Sequence, residues 1–143
     1  MYTGIYNWNI TDEEAADLYS NGTIKEDLNT NQYLVLRDYD GKAIDYYFNG
    51  VNGLERVNYP QLGNNFTGIA KPRNPEQYCA FDMLKRDIPI KLITGRFGSG
   101  KTYGCVTAAL EQVQSNKFEK IVFVRNNVQV KDTDQIGSLP GLI

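Results

Sequence analysis

Residues 95–102 read GRFGSGKT. Gly95, Gly100, Lys101 and Thr102 satisfy the spacing G-x-x-x-x-G-K-T, which is that of a phosphate-binding loop. Such a loop carries meaning only where it follows a strand and opens a helix. Just before it, residues 90–94 (IKLIT) form a short, nearly continuous apolar run, the pattern of a buried parallel strand. Just after it, residues 101–116 (KTYGCVTAALEQVQSN) predict a helix, and residues 120–124 (KIVFV) a second buried strand. Strand, loop, helix, strand is a βαβ unit, so the expected class is α/β with parallel strands.

Each residue of the loop has a physical reason. Gly95, Gly98 and Gly100 permit positive φ and let backbone N–H groups approach phosphate oxygens with no Cβ in the way. The helix start behind them adds partial positive charge. The Lys101 ammonium is placed to reach β- and γ-phosphates, and the Thr102 hydroxyl to ligate Mg²⁺. Phe97, Ser99 and the backbone through Thr102 complete the cradle, with Tyr103 next to it on the helix. Arg96 occupies a variable position, from which it could touch phosphate, and is read in preference as facing solvent or a partner.

Upstream, residues 12–20 (DEEAADLYS) predict a short helix with an acidic first turn capped by Thr11. Residues 32–38 and 44–50 read as strands joined by the Asp40-Gly41 turn, with a third strand in 54–59. Tyr33, Tyr39, Tyr46, Tyr47 and Tyr59 suit antiparallel strands. Residues 60–75 are turn-rich and read as a boundary or ordered linker. Residues 75–86 predict a helix with Asn74 as N-cap, Pro75 first and Glu76 in its first turn. The chain therefore divides into a small antiparallel β-rich segment, 1–68, and a loop-bearing segment, 69–143.

Composition narrows the chemistry. The 143 residues include no histidine, which removes imidazole bases, His-based triads and HExxH zinc sites. Cys79 and Cys105 belong to no C-x-x-C pair and read as reduced. No run approaches the ~18 apolar residues of a membrane helix, and the first 20 residues lack a secretory pattern, so a cytoplasmic protein is expected. Charge is uneven: residues 1–70 hold 4 Lys/Arg and 10 Asp/Glu, whereas residues 71–143 hold 11 and 7. The basic half carries the loop.

Two flanking elements sharpen the reading. Asn74 and Gln77 form an N-x-x-Q element before the loop. Arg125 ends the expected second strand, and Ile136–Gly141 (IGSLPG) follows. On its residue type, Gln77 either pairs with the N6/N7 edge of adenine or is an ordinary helix glutamine. Together with the loop, these elements resemble the PhoH-like family, P-loop ATPases related to superfamily-one helicases. More weakly, residues 31–43 (NQYLVLRDYDGKA) resemble the β connector of PhoH-like proteins that carry a PIN nuclease domain. Asp12, Glu13, Glu14 and Asp17 sit on one helix and read as a solvated face rather than a PIN site.

The resemblance implies ATP and Mg²⁺ as cofactors, bound by Gln77, Gly95, Phe97, Gly98, Ser99, Gly100, Lys101, Thr102, Tyr103 and Arg125. It makes Lys101 and Thr102 the catalytic candidates and Thr102 the metal ligand. It also brings RNA and a homo-oligomer into consideration as partners, and no membrane. Departures are Arg96-Phe97, where the family often has a small pair, and Arg125-Asn126, where it often has Arg-Pro. No residue is placed as a Walker B carboxylate, with Asp132 and Asp134 lying in a loop-like stretch. The expectation is a partial P-loop NTPase, truncated before that acid, forming the ATP-binding portion of an ATPase. The alternative is a nucleotide-binding or assembly module without turnover.

Overall fold

The computed structural model describes residues 2–21, 27–96, 98 and 100–126. The chain is mixed α/β, with a mostly antiparallel four-stranded sheet in the order β1-β2-β3-β4. The strands are β1 (Ile5–Asn9), β2 (Gln32–Arg37), β3 (Ala43–Gly50) and β4 (Gly53–Arg56). Helix α1 (Asp12–Asn21) connects β1 to β2, which pair in parallel, whereas β2–β3 and β3–β4 are antiparallel. A second, two-stranded sheet pairs β5 (Leu62–Asn64) with β6 (Gly68–Ala70). Helices α2 (Pro75–Lys85) and α3 (Lys101–Gln114) follow.

Strand β2 organises the sheet because both of its faces are covered. Leu34, Val35 and Leu36 are 0% exposed. Successive side chains on a strand point to opposite faces. Leu34 and Leu36 accordingly join Ile10, Leu18 and Tyr47 in a cluster on the α1 side. Tyr33 and Val35 join Phe48, Val57 and Cys79 in a cluster on the α2 side. The sheet is thus sandwiched between α1 and α2. A continuous apolar run such as YLVL is what a strand covered on both faces requires.

Local chemistry starts the helices. At α1 the Thr11 hydroxyl accepts the Glu14 N–H at 3.2 Å, and the Glu14 carboxylate accepts the Thr11 N–H at 3.1 Å. That reciprocal pair is a capping box. Tyr19 anchors α1 to the sheet by donating to Asp45 at 2.6 Å, and Arg56 pairs with the same carboxylate at 2.8 Å. The hydrogen bond to Asp45 pushes the Tyr19 hydroxyl up to about 12, because ionisation would destroy it. At the far end of α2, Asp82 accepts from the Tyr33 hydroxyl at 2.5 Å and pairs with Arg86 at 2.6 Å. The Arg86 guanidinium lies 3.9 Å from the centre of the Phe48 ring. Buried polar groups need partners, and here the partners bolt α2 to β2 and β3.

The expected parallel strands at 90–94 and 120–124 are not formed; both stretches are irregular. Ile90 is 88% exposed, Leu92 83% and Val124 87%. A parallel strand needs ladder partners beside it and cover on both faces, and the described residues supply neither. Only Ile93 packs inward, against the cluster of Leu62, Ala70, Phe81, Leu84 and Ala108. The parallel pairing that does form is β1 with β2. In β1, Tyr6 and Trp8 pack on the α1-side cluster while Asn7 and Asn9 are exposed. Within the turn-rich stretch 60–75, the β5–β6 hairpin forms and is clamped to α3. Glu111 accepts the Gly63 N–H at 2.7 Å, and Gln114 accepts the Asn65 N–H at 2.9 Å.

Replacing Leu34 by Ala is expected to destabilise the fold by about 2–5 kcal/mol, the range for buried leucines, as read from urea denaturation. Burial pushes the Cys79 thiol up to about 12, while Cys105 is exposed. At pH 8, a thiol-reactive chromophore should therefore label one cysteine in the native protein and two in denaturant.

Candidate functional site

The site is assembled where α2 and α3 start. Asn74 caps α2: its backbone is extended, and its side chain accepts the Gln77 N–H at 2.8 Å. Gln77 Oε1 in turn accepts the Arg73 N–H at 2.8 Å. This is a capping box with its return bond shifted by one residue. It gives the N-x-x-Q spacing a local structural cause.

Helix α3 starts differently. Gly100 is its N-cap in the left-handed conformation, φ +85°, and no side chain caps the helix. Gly98 is also left-handed, φ +82°, and a Cβ on it would meet nothing within 4 Å. A side chain at either position would be strained, so glycine is required there. The result is an exposed turn behind which the first N–H groups of α3 have no intrahelical acceptor.

Lys101, the first residue of α3, folds back over this turn. Its ammonium donates to the carbonyl oxygens of Gly95 and, at 2.9 Å, Arg96. A cation is thereby held at the mouth of the loop by two neutral acceptors. Thr102 is exposed, and among the described residues its hydroxyl makes no hydrogen bond. Tyr103 is 51% exposed, and its carbonyl accepts the buried Thr107 hydroxyl at 2.7 Å.

Packing brings the two helix starts together. A Cβ added to Gly100 would lie 4.0 Å from Gln77 Nε2, and one added to Gly104 would lie 3.4 Å from Phe81 and 3.9 Å from Leu84. Further along, Gln112 donates to the Leu84 carbonyl at 2.9 Å, and Lys85 stands 3.8 Å from Glu111. The contacts advance in the same sense along both helices, so α2 and α3 run in the same direction with their starts side by side. Gly104 was not singled out by the sequence reading. Its signal was available: a glycine four residues after Gly100, where the helix would otherwise favour alanine.

Of the expected site residues, the structure brings Gln77, Gly95, Gly98, Gly100 and Lys101 together, with Thr102 and Tyr103 following on the first turn of α3. Arg125 is exposed and makes no hydrogen bond or ion pair among the described residues. Phe97, Ser99, Asp132, Asp134 and Ile136–Gly141 lie outside the described residues.

The family model for PhoH-like proteins matches residues 69–143, just over half of the chain. The chain belongs to the PhoH-like family. The matched region contains α2, the loop and α3, so the PhoH-like assignment and the geometry fall on the same residues. It places the protein among P-loop ATPase-related proteins. No curated protein and no solved structure matches the chain. Among the described residues, no helix is long and apolar enough to cross a membrane.

Replacing Gly104 by Leu should force α3 away from Phe81 and Leu84. The expected cost is about 1–3 kcal/mol, typical of overpacking, measurable as a lowered urea midpoint.

Proposed function

We propose that this chain is the ATP-binding portion of a PhoH-like P-loop ATPase. The observation that supports this best is the start of α3. Left-handed Gly98 and Gly100, uncapped helical N–H groups and the Lys101 ammonium converge on one exposed turn. Each of these favours a multiply charged oxyanion. In this reading the backbone of residues 95–102, including Phe97 and Ser99, cradles the phosphates. Lys101 leaves the Gly95 and Arg96 carbonyls to neutralise the β- and γ-phosphates. The Thr102 hydroxyl, with no competing partner, ligates Mg²⁺, which draws its other oxygens from the nucleotide and water. Tyr103, Gln77 and Arg125 complete the binding set. Lys101 and Thr102 are the groups that touch the reacting phosphate.

The division into a β-rich segment, 1–68, and a loop-bearing segment, 69–143, belongs to this proposal. So do RNA as a partner, a homo-oligomer, hydrolysis and a cytoplasmic setting. The RNA assignment draws on the family and on the basic balance of residues 71–143. A second reading is nucleotide binding or assembly without turnover, since hydrolysis requires an in-line water and Mg²⁺ held by more than one hydroxyl.

Isothermal titration should detect ATP binding to the wild-type chain and none to Lys101→Ala, while the melting temperature of the variant without ligand stays unchanged. Saturating Mg-ATP at 100 times Kd should stabilise the wild type by about 2.7 kcal/mol. Unchanged ATP affinity in Lys101→Ala would overturn the reading. A steady-state phosphate-release assay, with and without RNA, separates the ATPase from the module without turnover.

A further inference from the structure

Gln77 stands between two helix starts. Its backbone N–H is held by Asn74, and its Oε1 is held by the Arg73 N–H, both at 2.8 Å. The side chain is therefore oriented by α2 itself. Its other end, Nε2, lies against Gly100, 4.0 Å from where a Cβ would stand. Gly100 is the left-handed residue on which the loop turns into α3, directly before Lys101. Below this contact, Phe81 and Leu84 pack on Gly104. Gln77 is the first rung of the α2–α3 interface, and it is the rung beside the last glycine of the loop.

We infer that Gln77 is a positioning residue for the phosphate loop, setting the Gly100 turn against the capped start of α2. This rests on the nucleotide-binding reading above and deepens it. Bidentate recognition of adenine would use Oε1 as an acceptor for N6–H and Nε2 as a donor to N7. Here Oε1 already accepts a backbone N–H, and the amide faces the loop. An amide tied in this way acts on the geometry of the phosphate site before any base arrives. Phosphate affinity consequently depends on Gln77 even for a ligand that has no base.

The test uses the 143-residue chain and Gln77→Met, which keeps length and removes the hydrogen-bonding groups. Titrations with Mg-tripolyphosphate, Mg-ATP and Mg-GTP are run with a thermal melt of each protein. The expected result is a common loss of about tenfold for all three ligands, the scale of one hydrogen bond. Binding stoichiometry should not change, and any drop in melting temperature from losing the bond to the Arg73 N–H is read separately in the melt, which separates positioning from folding. Gln77→Glu keeps an acceptor for the Arg73 N–H and preserves the helix start should the Met variant melt, and the same common loss is expected of it. A loss confined to ATP, with tripolyphosphate unaffected, would mean that the amide reads the base alone and would overturn the inference. Unchanged affinity for all three ligands would overturn it equally, and either result leaves the nucleotide-binding reading standing. A wild-type chain that binds none of the three would remove both.

Discussion

Helix α2 has to be apolar on two sides at once, and the arrangement of the chain depends on how that is met. Tyr78, Cys79 and Met83 pack towards the sheet, while Phe81 and Leu84 pack towards α3 and the β5–β6 hairpin. A helix buried on two faces has little freedom to rotate, because any turn about its axis would expose one cluster or bury a charge. Its ends are fixed as well, by the Asn74 cap at one and by the Asp82–Arg86 pair with the Tyr33 hydroxyl at the other. The start of α3 takes its position from this helix through Gly104. The phosphate loop is therefore referenced, by way of α2, to a sheet built from the other half of the chain.

Elements whose causes are local were legible in the sequence. The Thr11 cap, the Asn74-Pro75 start, the Asp40-Gly41 hairpin and the Gly100-Lys101 helix start each follow from short-range chemistry, and the structure places them as expected. The alternation Tyr6, Trp8 against Asn7, Asn9 is that of a strand, but it is too short to stand out as one. What local pattern could not settle was whether the runs at 90–94 and 120–124 would find ladder partners. Apolar content signals a wish to be buried; pairing is a property of neighbours. The same limit applies to the hairpin at 62–70, whose glycine- and asparagine-rich sequence reads as a linker. Glu111 and Gln114, about fifty residues away in sequence, hold it in place.

At the site, residue types point to a chemistry more readily than to the contacts that the fold makes. The loop's glycines and lysine follow from the demands of phosphate binding. The fold adds that Lys101 already has carbonyl partners and that Gln77 doubles as a helix cap. An N-x-x-Q element thus has a structural reason to exist apart from any ligand. Arg125 is of the opposite kind: it is exposed on an irregular stretch, and no local rule places it.

The common direction of α2 and α3 has an electrostatic consequence. Each helix carries roughly half a unit of positive charge at its start and the opposite at its end, so two aligned rods add where they would cancel if antiparallel. The negative ends are met by cations: Lys91 donates to the Leu84 and Arg86 carbonyls at 3.0 and 2.6 Å, and Lys117 pairs with Asp87 close by. Burial, and to a lesser degree the neighbouring Lys117, hold the Lys91 ammonium below its ordinary range. The opposite pole carries the sum of the two positive helix ends, about one unit of backbone-derived charge, over and above the Lys101 ammonium. An anion approaching this molecule meets a polarised pair of rods, and no single substitution of a side chain can remove that part of the field.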